Sequence, residues 1–254
     1  QAVKENIKNF RMFGNAYLKY NILDNLSFKS YLGIDLDNYQ QSYYKGVTLL
    51  YRGATRPDPF AQASASQGVN WLWENTLDYS RKFGENHSLS VLAGYTAQKQ
   101  TDELKLIQAN SFPDDQVQTI GGGIVTGGTS VKEQWSLVSS LARVNYSYKD
   151  RYLLSGTFRS DRSSRFGANN QTGVFPSVSL GWRIDDEAFM RKVDFVNELK
   201  VRASYGLTGN FQIPNYGSIG LLSASNYVLN GTIVSGIGRS TLSNNQLSWE
   251  SKKQ

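Results

Sequence analysis

Through at least eight separate stretches of this chain, every second residue is uncharged. The residues between them carry the Lys, Arg, Asp, Ser and Thr side chains. The clearest example lies between Gln134 and Asp150. There the uncharged set reads Val138, Ser140, Ala142, Val144, Tyr146 and Tyr148, and the polar set reads Ser139, Arg143, Asn145, Ser147 and Lys149. Successive side chains of a β-strand point to opposite faces, so strict alternation predicts a strand with one apolar and one wet face. The chain is therefore predicted to be all-β.

The eight stretches have the length of strands that cross a membrane. They run over Arg11–Asn21, Leu26–Asp37, Trp71–Arg81, Ser88–Gln98, Gln134–Asp150, Tyr152–Asp161, Val174–Asp185 and Leu199–Thr208. A tilted strand needs about 9 to 11 residues to cross the hydrocarbon core. We predict an antiparallel transmembrane β-barrel to which this chain contributes about eight strands. The residues expected to face lipid include Val144, Leu154, Leu180 and Val201.

The connections alternate between short and long. Tight turns are predicted at Ile22–Asn25, Gly84–His87 and Lys149–Arg151, and long loops at Tyr39–Asn70, Gln100–Lys132 and Gly209–Gln246. Outer-membrane barrels have short periplasmic turns and long extracellular loops. A soluble sandwich has no reason to sort its loops by length, so this pattern favours the membrane protein. We expect the long loops outside the cell.

Pro176 interrupts one predicted strand on its apolar side. Proline has no N–H to donate to a neighbouring strand. We therefore expect Pro176 near the outer rim, beside a bulge or where the neighbouring strand has ended.

Composition agrees with this reading without deciding it. The mean hydropathy is −0.44, and no apolar run approaches the length of a membrane-spanning helix. The 23 glycines, 15 tyrosines and five tryptophans suit tight turns and aromatic girdles. The net charge of +6 is dispersed along the 254 residues, so we expect no nucleic-acid partner. There is no cysteine, which excludes disulfides and thiolate sites.

No motif for catalysis stands out. His87 is the only histidine and falls in a tight turn, and the glycines at Gly121–Gly123 precede no Gly-Lys-Ser/Thr sequence. Asp35 and Asp37 are explained more simply by solvation at a strand end than by a glycosidase or calcium site. We expect no catalytic residues, no metal site and no cofactor, and therefore no enzyme.

The wet face and the loops are left as candidates for ligand contact. If the wet faces line a lumen, they would make its wall polar and somewhat basic, and they contribute candidate residues for a substrate path: Arg143, Arg159, Asp161, Arg183 and Arg202. Such charges could line the path or merely hydrate the wall. The predicted loops carry aromatic residues that could stack on sugars, anchor peptides or hold the loops together: Tyr39, Tyr43, Tyr44, Tyr51, Trp71, Phe112, Tyr216 and Tyr227.

Several motifs in order resemble one known family. They include RVNYSYKDRYLLSGTFRSDRSSRFG from Arg143, GVFPSVSLGWRIDDEAFM from Gly173 and VNELKVRASYGLTGN from Val196. Together with ENTLDYSRKFGENHSLSVLAGY from Glu74, they resemble the barrel of SusC/RagA-type TonB-dependent outer-membrane transporters of Bacteroidota. The resemblance covers most of the chain outside the long loops. It implies a full barrel of about 22 strands.

The resemblance also implies a function and partners. A SusC-like protein would be a TonB-dependent outer-membrane importer that takes up oligosaccharides or peptides under a SusD-like surface lipoprotein lid. TonB would act through a plug, outer-membrane lipid would surround the barrel, and transporter and lipoprotein pairs could dimerise. A passive porin or a surface adhesin barrel is the alternative, and a soluble carbohydrate-binding sandwich stands behind both.

We expect residues 1–254 to form part of one transmembrane β-barrel domain in the bacterial outer membrane. The stretch before Phe10 is polar and lacks the apolar segment of a signal peptide. The N-terminal plug, the segment that contacts TonB and the signal peptide are therefore expected to be absent from this chain. The residues from Trp249 onward read as the start of another strand.

Overall fold

The computed structural model describes residues 3–46, 59–190, 193 and 195–254. Eleven β-strands lie within these ranges: β1 Val3–Leu23, β2 Leu26–Lys45, β3 Phe60–Phe83, β4 His87–Asn110, β5 Ile124–Tyr148, β6 Tyr152–Ser163, β7 Thr172–Arg183, β8 Lys200–Asn210, β9 Leu222–Leu229, β10 Thr232–Arg239 and β11 Glu250–Lys253. Nine of them form one sheet in the order β1-β2-β3-β4-β5-β6-β7-β8-β11, and β9 and β10 form a separate pair. The all-β prediction is confirmed. The short strand β11 is the one expected after Trp249.

The first four strands are about twice as long as predicted, and β5 is about one and a half times as long. β3 and β4 each have 24 residues and β5 has 25. Much of the predicted loops Tyr39–Asn70 and Gln100–Lys132 is therefore strand, and residues 47–58 lie outside the described residues. The alternation of apolar and polar residues ends where a strand no longer faces hydrocarbon on one side, because both faces are then wet. The pattern consequently marks only part of each strand.

The tight turns occur where the sequence predicts them. They lie at residues 24–25, 84–86 and 149–151. Gly84 has a φ of +60°, in the left-handed region that glycine adopts without steric cost. Connections of 13 and eight residues, 111–123 and 164–171, alternate with these turns. The alternation of short and long connections therefore holds from β1 to β7, although the long ones are shorter than predicted, and it fails at residues 184–199, where 16 residues join β7 to β8 in place of a tight turn.

The third predicted loop, Gly209–Gln246, is not structureless. It contains the hairpin of β9 and β10, whose strands pair from Leu222 with Arg239 to Leu229 with Thr232. Asn230 and Gly231 connect them with φ values of +49° and +74°. Two residues with positive φ form the type I′ turn, whose twist matches that of the flanking strands.

The register of β5 to β8 sorts side chains onto two faces. Val144 pairs with Gly156, which pairs with Val178, and these residues lie on the same face as Leu154 and Leu180. The large side chains of this apolar face are exposed. Most residues on the opposite face are polar, although Leu137, Leu141, Leu153 and Phe175 also lie on it. This two-faced arrangement is the one predicted for strands with lipid on one side.

Pro176 lies at the limit of one strand pairing. The register of β7 with β8 runs from Arg183 only to Ser177, whereas the register of β7 with β6 continues past it. The missing N–H therefore costs no bond to β8. β8 itself continues to Asn210 and pairs there with β11, so the neighbouring strand does not end beside Pro176 as predicted, and only its pairing with β7 does.

The chain divides into two compact units. The first consists of Gln1–Asn15, Gly33–Trp71 and Lys99–Gln134, and the second of Ala16–Leu32, Leu72–Gln98 and Trp135–Gln254. In the first unit Tyr44, Ala61, Ala109 and Phe112 form a buried cluster. None of the helical segments in the described residues has the length and hydrophobicity to cross a membrane.

Candidate functional site

A wall of polar side chains covers part of the first unit. Its best-defined contact joins Arg11 of β1 to Asp35 of β2: Nε donates to Oδ1 at 2.9 Å and a terminal nitrogen donates to Oδ2 at 2.7 Å. Two parallel N–H···O bonds fix both the distance and the plane of the guanidinium. The pair therefore holds one end of the wall in a defined geometry.

Amide side chains continue this wall from strand to strand. Gln41 Nε2 donates to Glu5 Oε1 at 2.5 Å, and Gln108 Nε2 donates to Gln62 Oε1 at 3.1 Å. A third contact links Asn70 to Gln100, whose own amide donates to Asp102 at 3.0 Å. An amide both donates and accepts, so each of these groups can also bond to a hydrated ligand.

A cleft of about 700 Å³ opens along this wall. Side chains that line it include Arg11, Asp35, Asp37, Asn70, Gln100 and Asp102. Gly68 lies between two of the carboxylates, because a Cβ there would be 3.3 Å from Asp102 Oδ1 and 3.7 Å from the Asp37 Cβ. The described lining residues carry no aromatic ring. The cleft thus offers hydrogen bonds and negative charge to a polar ligand, and no stacking surface.

The family assignment rests on nearly the whole chain. The family model described as TonB dependent receptor-like, beta-barrel matches residues 5–254. The chain belongs to this family. Its members are outer-membrane β-barrel proteins, which agrees with the alternating pattern and the exposed apolar face.

Curated relatives share the sequence of this chain at moderate identity. TonB-dependent receptor P3 of Formosa agariphila is 35% identical over 243 residues, which cover 94% of this chain and 24% of the relative. TonB-dependent receptor SusC of Bacteroides thetaiotaomicron is 46% identical over 78 residues, which cover 31% of this chain and 8% of SusC. The chain thus spans about a quarter of the length of P3.

Solved structures share the fold. A structure of the RagAB peptide transporter superposes with a TM-score of 0.89 at 24% identity, over 99% of this chain and 28% of that one. A structure of the RagAB peptide importer in the "closed-closed" state gives a TM-score of 0.90 at the same identity. The SusC/RagA-type assignment drawn from the motifs is confirmed.

The five residues predicted along a substrate path lie in the second unit of the receptor, on one face of β5 to β8. The register pairs Arg143 with Thr157, Asp161 with Ser139, and Arg202 with Gly181. Their contact with a ligand stays a prediction. The cleft of the first unit is a separate site that sequence reasoning missed.

Most of the five residues have partners within the protein. Arg159 Nε donates to both oxygens of Asp161 at 2.8 Å, and a terminal nitrogen donates to Ser139 Oγ at 3.1 Å. Arg143 Nε donates to Thr157 Oγ1 at 3.3 Å. Arg183, at the end of β7, is 3.1 Å from Asp186. Two expectations were given for these charged residues: that they line a substrate path, or that they only hydrate the wall. These contacts support the second.

Two of the predicted loop aromatics are buried. Tyr44 lies in β2 and is 2% exposed, and the Phe112 ring packs on it edge to face with the centroids 5.2 Å apart. The Tyr44 hydroxyl donates to Asp115 Oδ1 at 2.7 Å. These rings hold the 111–123 connection against the sheet and are not available for stacking on a sugar. Tyr51 lies outside the described residues.

A second cluster of the receptor fastens the 164–171 connection to the segment after β8. The Arg165 guanidinium lies 4.8 Å from the Trp135 ring centroid and 5.4 Å from that of Phe211. Its Nε donates to Asn215 Oδ1 at 2.9 Å. Burial lowers the pKa of Arg165, but arginine remains charged at neutral pH. The cation between two rings is a structural clasp.

Trp249 completes this clasp. Its ring contacts Phe166 at a centroid distance of 4.8 Å and Phe175 at 5.2 Å, and its Nε1 donates to the Gln171 carbonyl at 2.9 Å. Gly167 lies so close to Asn245 that a Cβ would fall 2.1 Å from the carbonyl oxygen. Only glycine fits this approach, which explains the Arg-Phe-Gly sequence at 165–167.

The described residues contain no group of three or more His, Asp or Glu side chains placed to hold a metal ion. His87 begins β4, and its Nδ1 shares a 2.6 Å hydrogen bond with the Tyr146 hydroxyl.

Proposed function

We propose that this chain forms part of the transport barrel of a TonB-dependent outer-membrane importer of oligosaccharides or peptides. The family match over residues 5–254 is the observation that carries the proposal. The cleft of the first unit supplies a surface suited to such ligands, because both classes are rich in hydroxyl or amide groups that pair with Asn, Gln and carboxylate side chains.

A SusD-like surface lipoprotein is proposed as the lid, and TonB as the source of force. Support comes from the relatives: one is named SusC, and the structural neighbours are RagAB peptide importers in "closed-closed" and "open-open" states. Pairs of transporter and lipoprotein could assemble further into dimers. Turnover of glycans or peptides is not expected, since import requires no bond to be broken.

The first experiment uses the full-length protein in its own host. Cells take up fluorescently labelled oligosaccharides and peptides, and uptake of the ligand is compared before and after deletion of TonB. Uptake is expected to stop without TonB. The detergent-extracted receptor is expected to bring a SusD-like lipoprotein with it. Uptake that persists without TonB, with no lipoprotein in the extract, establishes the passive porin or adhesin instead.

The second experiment tests the cleft itself. Gln100→Leu removes an amide from the lining at nearly constant volume, and Thr101→Val, on the neighbouring residue of β4, is the matched control. The loss of one hydrogen bond is expected to lower uptake at subsaturating ligand about three- to tenfold. Equal uptake by both variants and by the wild type would remove the cleft from the ligand's route.

A further inference from the structure

On the apolar face of the second unit, side chains that pair across neighbouring strands form rows. Three successive rows differ in the size of their side chains. Tyr152 pairs with Tyr148 and with Trp182, which gives a row of three large rings. In the next row Leu154 pairs with Leu180, which pairs with Ala203. In the row beyond that, β6 contributes only Gly156, between Val144 and Val178. The small side chain of Ala203 leaves a depression beside the rings.

This depression is a groove of about 510 Å³. Its lining is almost entirely apolar and includes Tyr146, Tyr152, Leu154, Leu180, Trp182 and Ala203. Leu180 is 59% exposed and Trp182 is 39% exposed. Large apolar groups with this exposure mark a surface that meets another apolar phase.

The row of rings formed by Tyr148, Tyr152 and Trp182 bounds the groove at the end nearer the tight turns. The Tyr148 and Tyr152 centroids are 6.2 Å apart and the Tyr152 and Trp182 centroids 6.5 Å apart, both in stacked orientation. Glu187 holds this end: it accepts hydrogen bonds from the Tyr152 hydroxyl at 2.6 Å and from Trp182 Nε1 at 3.1 Å. Rings with polar tips at such a boundary are typical of a membrane–water interface.

Positive charge lies beside the same row. Lys149 Nζ lies 5.4 Å from the Tyr148 ring centroid. Arg151 is paired with Glu187 at 3.3 Å. The Lys149 ammonium is therefore the cation at this end of the groove that is best placed to meet an anion outside the protein.

We propose that the groove binds one acyl chain of an anionic phospholipid whose headgroup contacts Lys149. The inference rests on the proposed location in the outer membrane. The apolar lining matches hydrocarbon, the ring row matches the depth of the ester region, and the lysine matches the net negative charge of an anionic headgroup. Short turns of such barrels face the periplasm, so the lipid belongs to the periplasmic leaflet.

The occupant is a lipid rather than a protein for two reasons. The face around the groove continues as exposed apolar side chains on β5 to β8, which is the surface that barrels present to hydrocarbon. The Lys149 ammonium at one end of the groove complements a lipid headgroup. An apolar interface between two copies of the chain would gain no stability from that charge.

The test is native mass spectrometry of the full-length receptor. The protein is extracted from nanodiscs containing phosphatidylglycerol and phosphatidylcholine in equal amounts. Ala203→Phe fills the groove with an apolar ring, and Ala142→Phe, elsewhere on the apolar face of β5, is its matched control. Lys149→Gln removes the cation, and Lys82→Gln is the control beside another turn.

The wild type is expected to retain one phosphatidylglycerol, and Ala203→Phe to lose it while Ala142→Phe keeps it. Lys149→Gln should lower the preference for phosphatidylglycerol over phosphatidylcholine about fivefold. Retention that is the same in all five proteins, or a dimer that excludes lipid, overturns the proposal. Ligand uptake by Ala203→Phe should equal that of the wild type. A negative result for lipid binding would therefore leave the proposal of an importer unchanged.

Discussion

At the turn after β7, one carboxylate gathers three donors. Glu187 accepts from Tyr152, Trp182 and Arg151, and so ties the ring row to the connection between β7 and β8. The hydrogen bonds from Tyr152 and Trp182, together with Arg151, lower the pKa of Glu187. Because its pKa is lowered in the folded protein, Glu187 stabilises the folded state at pH values above its ordinary pKa of 4.5. That contribution is lost as the pH falls through the lowered pKa.

Glu187→Gln is therefore expected to destabilise the receptor at neutral pH and to have a smaller effect below about pH 4. The midpoint of heat-modifiable mobility in detergent, measured between pH 3 and pH 8, checks this. Glu198→Gln, in the same connection, is the control. A difference from the wild type that stays constant across the range would show that Glu187 does not act as a charge.

Arg165 depends on shape as well as charge. Arg165→Lys keeps the positive charge but loses the planar fork between Trp135 and Phe211, which a lysine cannot reproduce. The loss of stacking and of one hydrogen bond is expected to cost about 1 to 3 kcal/mol. Limited proteolysis should then cut the 211–249 segment faster, while Arg162→Lys, on an exposed pair with Gln171, leaves the rate unchanged. Equal rates in both would exclude the clasp.

The strands show how far the sequence predicts the elements. The alternation finds β6, β7 and β8 nearly to the residue, because these strands carry one apolar and one polar face along their full length. It misses the outer half of β4, where Leu104 and Ile107 lie among polar residues in no strict order. The hairpin at Asn230–Gly231 was missed although that dipeptide is a strong type I′ signal.

The two faces of β7 can be compared directly. Val178→Arg places a charge on the apolar face, and Ser179→Arg places the same charge one residue away on the polar face. Near the middle of the bilayer the first is expected to cost about 2 to 4 kcal/mol, and the second little. Refolding of the full-length protein into lipid vesicles along a urea series gives both values. Equal costs would show that neither face meets hydrocarbon.

The cleft depends on how the long strands pair with one another. Its lining comes from strands far apart in sequence, and Asn70 and Gln100 came from stretches that the sequence predicted as loops. Each of these residues looks like an ordinary surface group until the pairing of long strands brings them together. Alternation predicted a polar face at Arg11 and Asp35, whereas the rest of the wall and the position of the cleft did not follow from it.

The orientation in the membrane is the remaining prediction at this scale. Ser225 lies on the exposed β9 hairpin and Asn86 in a tight turn. A cysteine at position 225 is expected to react with an impermeant maleimide on intact cells, because long connections face outward. A cysteine at position 86 should react only after the outer membrane is opened. The reverse result would invert the barrel.

The edge strand β1 has a consequence for handling this stretch of protein. β1 begins the sheet order, so one side of its 21 residues has no neighbouring strand among the described residues. Nearly all its side chains are exposed, including Phe13, Tyr17 and Leu18. A long, flat edge with apolar side chains templates the addition of further chains. If residues 1–254 were expressed as a separate polypeptide, copies would therefore pair along the exposed edge of β1 and aggregate into inclusion bodies.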